Sequence, residues 1–252
     1  MTNEPAGNNI LVCRRGPDGS LSQIQTASTH GKGSYNGRAD PLGSQGALTL
    51  TAAGHFLVAV NAGSNSISAL AATEDGLRFH SKTDSGGTMP LSVTVHGDFV
   101  YVLNAGGTPN VTVFRINLNG TLSRITGSTR PLPGGASAAP AQVGITPDGE
   151  VLVLTEKNTN QIDLFPVDDD GMPGSDSTFS SNGATPFGFT FSRDRTLIVA
   201  EANASTFSSY RIGSVGNSPT LQVITKSIGD GGMAACWIAR DRRLAFAANA
   251  AR

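Results

Sequence analysis

Glu156 and Glu201 each close a very apolar run, residues 151–154 and 197–200, and each leads into a polar loop. A carboxylate in that position could act as a general acid or base, hold a cation, or pair with an Arg or Lys. Asn61, Asn104 and Asn249 take the equivalent place after their own apolar runs. An amide there could orient a ligand, although Asn at a strand end often bonds neighbouring backbone in a turn. Of the four histidines, His30 is the one expected at the same end, because His55 and His96 fall in turns at the other. The candidate catalytic residues are therefore Glu156, Glu201 and His30. The candidate binding residues are Gln45, Gln142 and Arg38, suited to fixing a carboxylate, together with Asn61, Asn104 and Asn249. No metal is expected, since HExxH, H-x-H and CxxC spacings are missing. No cofactor is expected either. The Gly-rich stretch 29–45 lacks GxxxxGK[ST], and no helix follows it.

These residues hold fixed places in a repeat. An alternating strand comes first, as in Leu48-Thr49-Leu50-Thr51 or Phe187-Gly188-Phe189-Thr190. A tight turn follows, such as Ala53-Gly54, Asp148-Gly149 or Asp194-Arg195, and then the apolar run with its polar marker. A third strand leads through Asp75-Gly76, Asn119-Gly120 or Asp170-Gly171 into a fourth. Asx-Gly favours tight hairpins because both residues tolerate positive φ. The markers recur roughly every 45 residues, close to the length of a four-stranded propeller blade. The fold class is all-β, a β-propeller of four-stranded antiparallel blades. Whole blades are expected at residues 46–87, 88–135, 136–183 and 184–232. Half blades are expected at 10–28, with strands three and four, and at 236–250, with strands one and two. Continuous repetition argues for a single domain over residues 1–252.

In a meander blade, the start of the first strand and the end of the second lie at one face. Gln45, Leu91, Gln142, Phe187 and Cys236 should then converge with the markers on one rim, bordered by the long loops 29–45 and 131–142. Trp237 and Phe187 are expected to pack between blades. Lys157 should face away from Glu156, by strand alternation.

Net charge is −1, and Lys, Arg, Asp and Glu are scattered. No basic stripe could hold a phosphate backbone, so nucleic acid is not an expected partner. Apolar runs are far shorter than the ~20 residues of a membrane-spanning helix, and no membrane partner is expected. The N-terminus shows no basic start and no apolar h-region. A cytoplasmic setting is the default, with a secreted or periplasmic one left open. Cys13 and Cys236 are too few for a disulfide framework and are expected as buried thiols.

Several stretches carry a family resemblance: Ala6-Gly7-Asn8-Asn9, Gly43-Ser44-Gln45-Gly46-Ala47-Leu48, Val60-Asn61-Ala62-Gly63-Ser64-Asn65, Tyr101-Val102-Leu103-Asn104-Ala105-Gly106, Thr185-Pro186-Phe187-Gly188-Phe189 and Cys236-Trp237. The chain resembles the lactonase-like β-propellers, which include 6-phosphogluconolactonase-type and 3-carboxymuconate cyclase-type proteins with YVTN-like repeats. The resemblance implies a seven-bladed fold, with about five blade-equivalents present here. That points to a truncated member, and to an open arc in preference to a five-bladed ring. It also implies hydrolysis or cyclisation of a small carboxylated lactone on the channel face. Lactonase-type members typically carry His-x-His at the start of a middle blade, where Ala139-Pro140-Ala141-Gln142-Val143-Gly144 stands here. The alternatives are therefore a non-catalytic propeller binding a protein or glycan, and a non-functional fragment.

Overall fold

A computed structural model describes residues 1–37, 40–241 and 244–251, the side chain of Ala251 excepted. Arg38 lies outside the described residues. The chain forms two compact units, Met1–Thr129 and Arg130–Arg252.

In the first unit, β1 (Asn9–Arg15) pairs with β2 (Leu21–Ser28). A four-stranded meander follows: β3 (Leu48–Leu50), β4 (Phe56–Asn61), β5 (Ser66–Thr73) and β6 (Gly76–Asp84). The next sheet runs β7 (Thr88–His96), β8 (Phe99–Gly106), β9 (Asn110–Ile116) and β10 (Leu122–Arg124). The second unit opens on the short β11 (Arg130–Pro131). One sheet holds β12 (Pro140–Ile145), β13 (Val151–Glu156), β14 (Gln161–Pro166) and β15 (Ser177–Ser180). Another holds β16 (Pro186–Phe191), β17 (Thr196–Glu201), β18 (Thr206–Val215) and β19 (Ser218–Gly229). The last pair is β20 (Met233–Asp241) with β21 (Leu244–Ala251). Helical structure among the described residues is limited to single 3-10 turns at Ala62–Ser64 and Gly135–Ser137. No helix there is long and apolar enough to cross a membrane.

The second strands read as continuous apolar runs because both of their faces are covered; every residue of β13 is buried. In the first unit, Val58, Val60 and Ile67 of one sheet pack against Val93, Val102 and Phe114 of the next. In the second unit, Val153, Ile162 and Leu164 pack against Phe189, Val199 and Tyr210. The outer strands β2, β6 and β19 are largely exposed. The third and fourth strands vary in length: β18 has ten residues, whereas β10 has three. Cys236 is buried as expected, but Cys13 is exposed. The cause is local. β1 pairs in its sheet with β2 alone, and alternation puts Cys13 on the face of exposed Leu11, opposite buried Ile10.

The starts of the first strands share one construction. A non-glycine residue with positive φ comes first: Met89 (54°), Ala139 (46°), Thr185 (62°) and Ala234 (57°). A register shift follows in each strand, between Pro90 and Ser92, Pro140 and Gln142, Pro186 and Phe189, and Ala235 and Trp237. Such strained residues persist only where their surroundings over-determine them. The loop before the preceding third strand supplies that restraint. Asn65 Oδ1 accepts from Met89 N at 2.8 Å, Asn160 Oδ1 from Thr185 N at 2.7 Å, and Ser205 Oγ from Ala234 N at 2.8 Å. Asn65, Asn160 and Ser205 also have positive φ. Left-handed residues of neighbouring sheets thus clasp one another and fix where β7, β16 and β20 begin.

Candidate functional site

Register sets the markers beside the first strands: Asn104 opposite Pro90, Glu156 opposite Pro140, Glu201 opposite Pro186 and Asn249 opposite Ala235. Asn61, Asn104, Glu156 and Glu201 are fully buried. Each marker fills the space left by a glycine in the loop before its own sheet. A Cβ at Gly31, Gly87, Gly134, Gly183 or Gly232 would overlap Asn61, Asn104, Glu156, Glu201 or Asn249 respectively.

The hydrogen bonds follow the same inward direction. Glu201 accepts from Gly183 N at 2.7 Å and from the hydroxyls of Ser181, Thr206, Ser208 and Ser227. Glu156 Oε1 accepts from Gly134 N at 3.0 Å, and Oε2 from Thr159 Oγ1. Asn61 accepts from Asn8 Nδ2 at 3.0 Å and Thr29 Oγ1 at 2.6 Å, and donates to Ser68 Oγ at 2.8 Å. Asn104 donates to Ser85 O at 3.2 Å and Asn110 Oδ1 at 3.1 Å. These side chains rivet the incoming loop to the sheet.

Gln142 acts between sheets. Its Oε1 accepts from Phe189 N at 2.7 Å, and its Nε2 donates to Phe189 O at 3.1 Å, joining β12 to β16. Gln142→Leu should therefore lower stability by roughly 1–3 kcal/mol, because it leaves a partly buried N–H unpaired. Urea denaturation of the variant checks this. Gln45 is half-buried, and its carbonyl accepts from Ser92 Oγ at 2.7 Å, in the middle of β7. His30 is exposed. Its ring stacks on Phe79 of the outer strand β6, with centroids 4.0 Å apart, so it stands beside an outer strand and not at a first strand. Arg38 has no described position.

Two further residues carry chemistry that sequence reasoning did not assign. Asp163 on β14 is fully buried. Its register mates place it where the other whole sheets carry Ser68, Thr112 and Ser208. Burial and the neighbouring Glu156 carboxylate push its carboxyl up to about 8, against a hydrogen bond from Thr178. Aligning the third strands would have exposed this exception, an acid among three hydroxyls.

The second residue is Lys157, whose Nζ lies 5.2 Å from the centroid of the Phe187 ring. Phe187 meets Trp237 edge-on, at 6.1 Å and 81°. Ala141, Phe187 and Cys236 form the buried floor there, with Trp237 partly buried against it. A cation and two aromatic rings thus line the starts of β16 and β20. Lys157 stands in the turn after β13 and reaches the first strand of the next sheet, whereas Glu156 turns to Gly134 and Thr159.

Clefts of about 650 and 610 Å³ lie away from the markers, lined for instance by Arg130, Asp168 and Asn217 and by His55, Asp98 and Arg115, whereas a third of about 480 Å³ is lined by Asn249 with Phe207, Ile228 and Phe246. None of them is lined by Glu156, Glu201 or His30. Among the described residues, no group of three or more His, Cys, Asp and Glu side chains could hold a metal ion.

Repeated four-stranded meanders joined through riveted loops define a β-propeller, and this chain is built of its blades. It belongs to the lactonase family of seven-bladed β-propellers, whose family model matches residues 2–133 and 108–231. Among curated proteins, no significant match is found. Among solved structures, the chain is similar to a candidate 6-phosphogluconolactonase from Bacteroides fragilis. The TM-score is 0.71 at 20% identity, over 88% of this chain and 65% of that one. The periplasmic gluconolactonase of Pseudomonas aeruginosa gives 0.67 at 19%, over 88% and 64%. A gluconolactonase from Xanthomonas campestris gives 0.61 at 18%, over 97% and 77%. The chain thus spans just under two thirds of the Bacteroides and Pseudomonas proteins, and at these identities the likeness is one of fold.

Proposed function

We propose that this chain recognises a small anionic sugar lactone, or the acid derived from it, at the row formed by Lys157, Phe187 and Trp237. The observation that carries this reading is the placement of a lysine ammonium over one ring that is edge-on to a second. The partly buried Trp237 ring suits the C–H surface of a sugar, the buried Phe187 ring holds the ammonium in place, and the ammonium is a compact charge for a carboxylate or phosphate. Membership of the lactonase family, and neighbours named for gluconolactones, make a lactone the fitting substrate class. Hydrolysis or cyclisation would further need a base at the ring carbonyl. The buried, hydrogen-bonded Glu156 and Glu201 point into their own sheets, and no histidine stands in residues 139–144. Recognition without turnover is favoured on those grounds, and the same face would serve a non-catalytic glycan binder.

Trp237 is the sole tryptophan of the chain, so its fluorescence reports this face directly. Titration with 6-phosphogluconate and with gluconate should give a saturable change, tighter for the phosphorylated acid. Lys157→Ala should weaken that binding by roughly tenfold or more, the usual worth of a charge-assisted contact. An unchanged spectrum, or binding indifferent to Lys157→Ala, would refute the site. Turnover of glucono-δ-lactone, unaltered in Glu156→Gln and Glu201→Gln, would place any catalytic base elsewhere.

A further inference from the structure

We propose that a protonated Asp163 donates to Glu156, and that this proton latches the loop around Gly134 onto its blade, so that alkaline pH releases the loop. The inference does not depend on the ligand reading above.

Three observations carry it. Asp163 Oδ2 is buried and has no hydrogen-bond partner, although the side chain lies within hydrogen-bonding reach of Glu156. Two buried carboxylate oxygens can face one another only with a proton between them, since ionised carboxylates accept and do not donate. The equivalent positions show what a simpler arrangement looks like. In the next sheet Ser208 Oγ donates to Glu201 at 2.6 Å, and in the first unit Ser68 Oγ accepts from Asn61 at 2.8 Å. A protonated Asp163 is the donor that restores this pattern. Finally, the acceptor is the same Glu156 that receives Gly134 N and fills the space above that glycine.

The charges facing Asp163 make the direction clear. Glu156 is the one ionisable residue of β13, β15 has none, and Asp176 lies just before β15. Lys226 of β19 is exposed. Lys157 follows Glu156 in the chain, but its ammonium lies over the Phe187 ring of the next sheet. When Asp163 ionises, two carboxylates repel in a buried site. Asp163 is held mid-strand, paired on both sides by β13 and β15. Glu156 ends its strand, so Glu156 yields and lets go of Gly134.

The sign follows from the folded value of about 8 against an ordinary carboxylate value near ~4. Asp163 keeps its proton in the folded state and loses it in the unfolded state across that interval. The stabilisation is complete below the unfolded value and fades as pH rises through the folded one. Asp18 and Asp194 are held low by the hydroxyls of Ser20 and Ser192, so their influence is confined to more acid solution.

The test uses the full chain, with Asp163→Ser and Asp163→Asn. Between about pH 5 and 8 the wild-type folding constant should fall by up to tenfold per pH unit relative to Asp163→Ser. Hydrogen exchange over residues 132–138 should quicken toward pH 9 more in the wild type than in Asp163→Ser at the same pH. Infrared spectra of the wild type at pH 7 should contain a protonated-carboxyl band that vanishes at alkaline pH. That measurement needs no variant to fold. Absence of the band at pH 7, or parallel stability curves for wild type and Asp163→Ser, would overturn the proposal.

Discussion

Replacing Glu201 with alanine is expected to destabilise the chain by roughly 3–5 kcal/mol, the cost of deleting one partner of a buried, charged hydrogen-bond network. The carboxylate receives Gly183 N, Ser181, Thr206, Ser208 and Ser227, and no part of it is exposed. Each donor left without an acceptor costs more than a hydrogen bond contributes when made. Gly183→Ala should act through the same contact from the other side, because its Cβ would overlap the carboxylate. The two changes should therefore be clearly less than additive in a double-mutant cycle. Chemical denaturation of the wild type, both single variants and the double variant measures this. If Glu201→Ala stays within about 0.5 kcal/mol of the wild type, the rivet carries no weight. Glu201 would then be free for a role facing solvent.

That experiment also bears on how much of the molecule could be read from its sequence. The blades were legible because strand alternation, Asx-Gly turns and the marker interval are local signals repeated along the chain. The positions of the markers were legible too, at the ends of second strands and beside the starts of first strands. The direction of their side chains was not. A polar residue closing a buried strand can turn to solvent or fold back into its own sheet. Here the choice rests on Gly134 and Gly183, which contact Glu156 and Glu201 only through the tertiary fold. His30 shows the same limit in a stretch without periodicity, where a positive φ of 56° and the Phe79 ring decide its place. Cys13 was expected buried from its apolar surroundings, yet it shares the face of exposed Leu11 on a strand whose inner side is marked by Ile10. Asp163 was visible as a residue. Its meaning depends on a neighbour across the sheet that periodicity does not identify.

Phe189→Ala is expected to be the most damaging single change in the core of the second unit, at roughly 3–5 kcal/mol for a buried phenylalanine. Phe189 is 1% exposed and lies against Val153, Ile162 and Leu164 of the neighbouring sheet. Its backbone is clamped at both N–H and C=O by Gln142, so the strand cannot slide to close the cavity. Gly144 meets the same ring: a Cβ there would sit 2.6 Å from Phe189 Cε2 and 3.0 Å from Cζ. Gly144→Ala should therefore cost about 1–3 kcal/mol by overpacking. Phe189→Leu should recover part of that loss when combined with Gly144→Ala, although alone it destabilises. The contact also bears on residues 139–144, where related lactonase-type propellers are expected to carry a histidine pair. Here the last residue of that stretch is covered by a phenylalanine ring, and Gln142 is spent on the adjoining strand. Denaturation midpoints for the three variants and the Gly144→Ala/Phe189→Leu pair decide the point. Strictly additive losses would show that Gly144 is small for a reason other than Phe189, and the stretch would again be open as a ligand-facing surface.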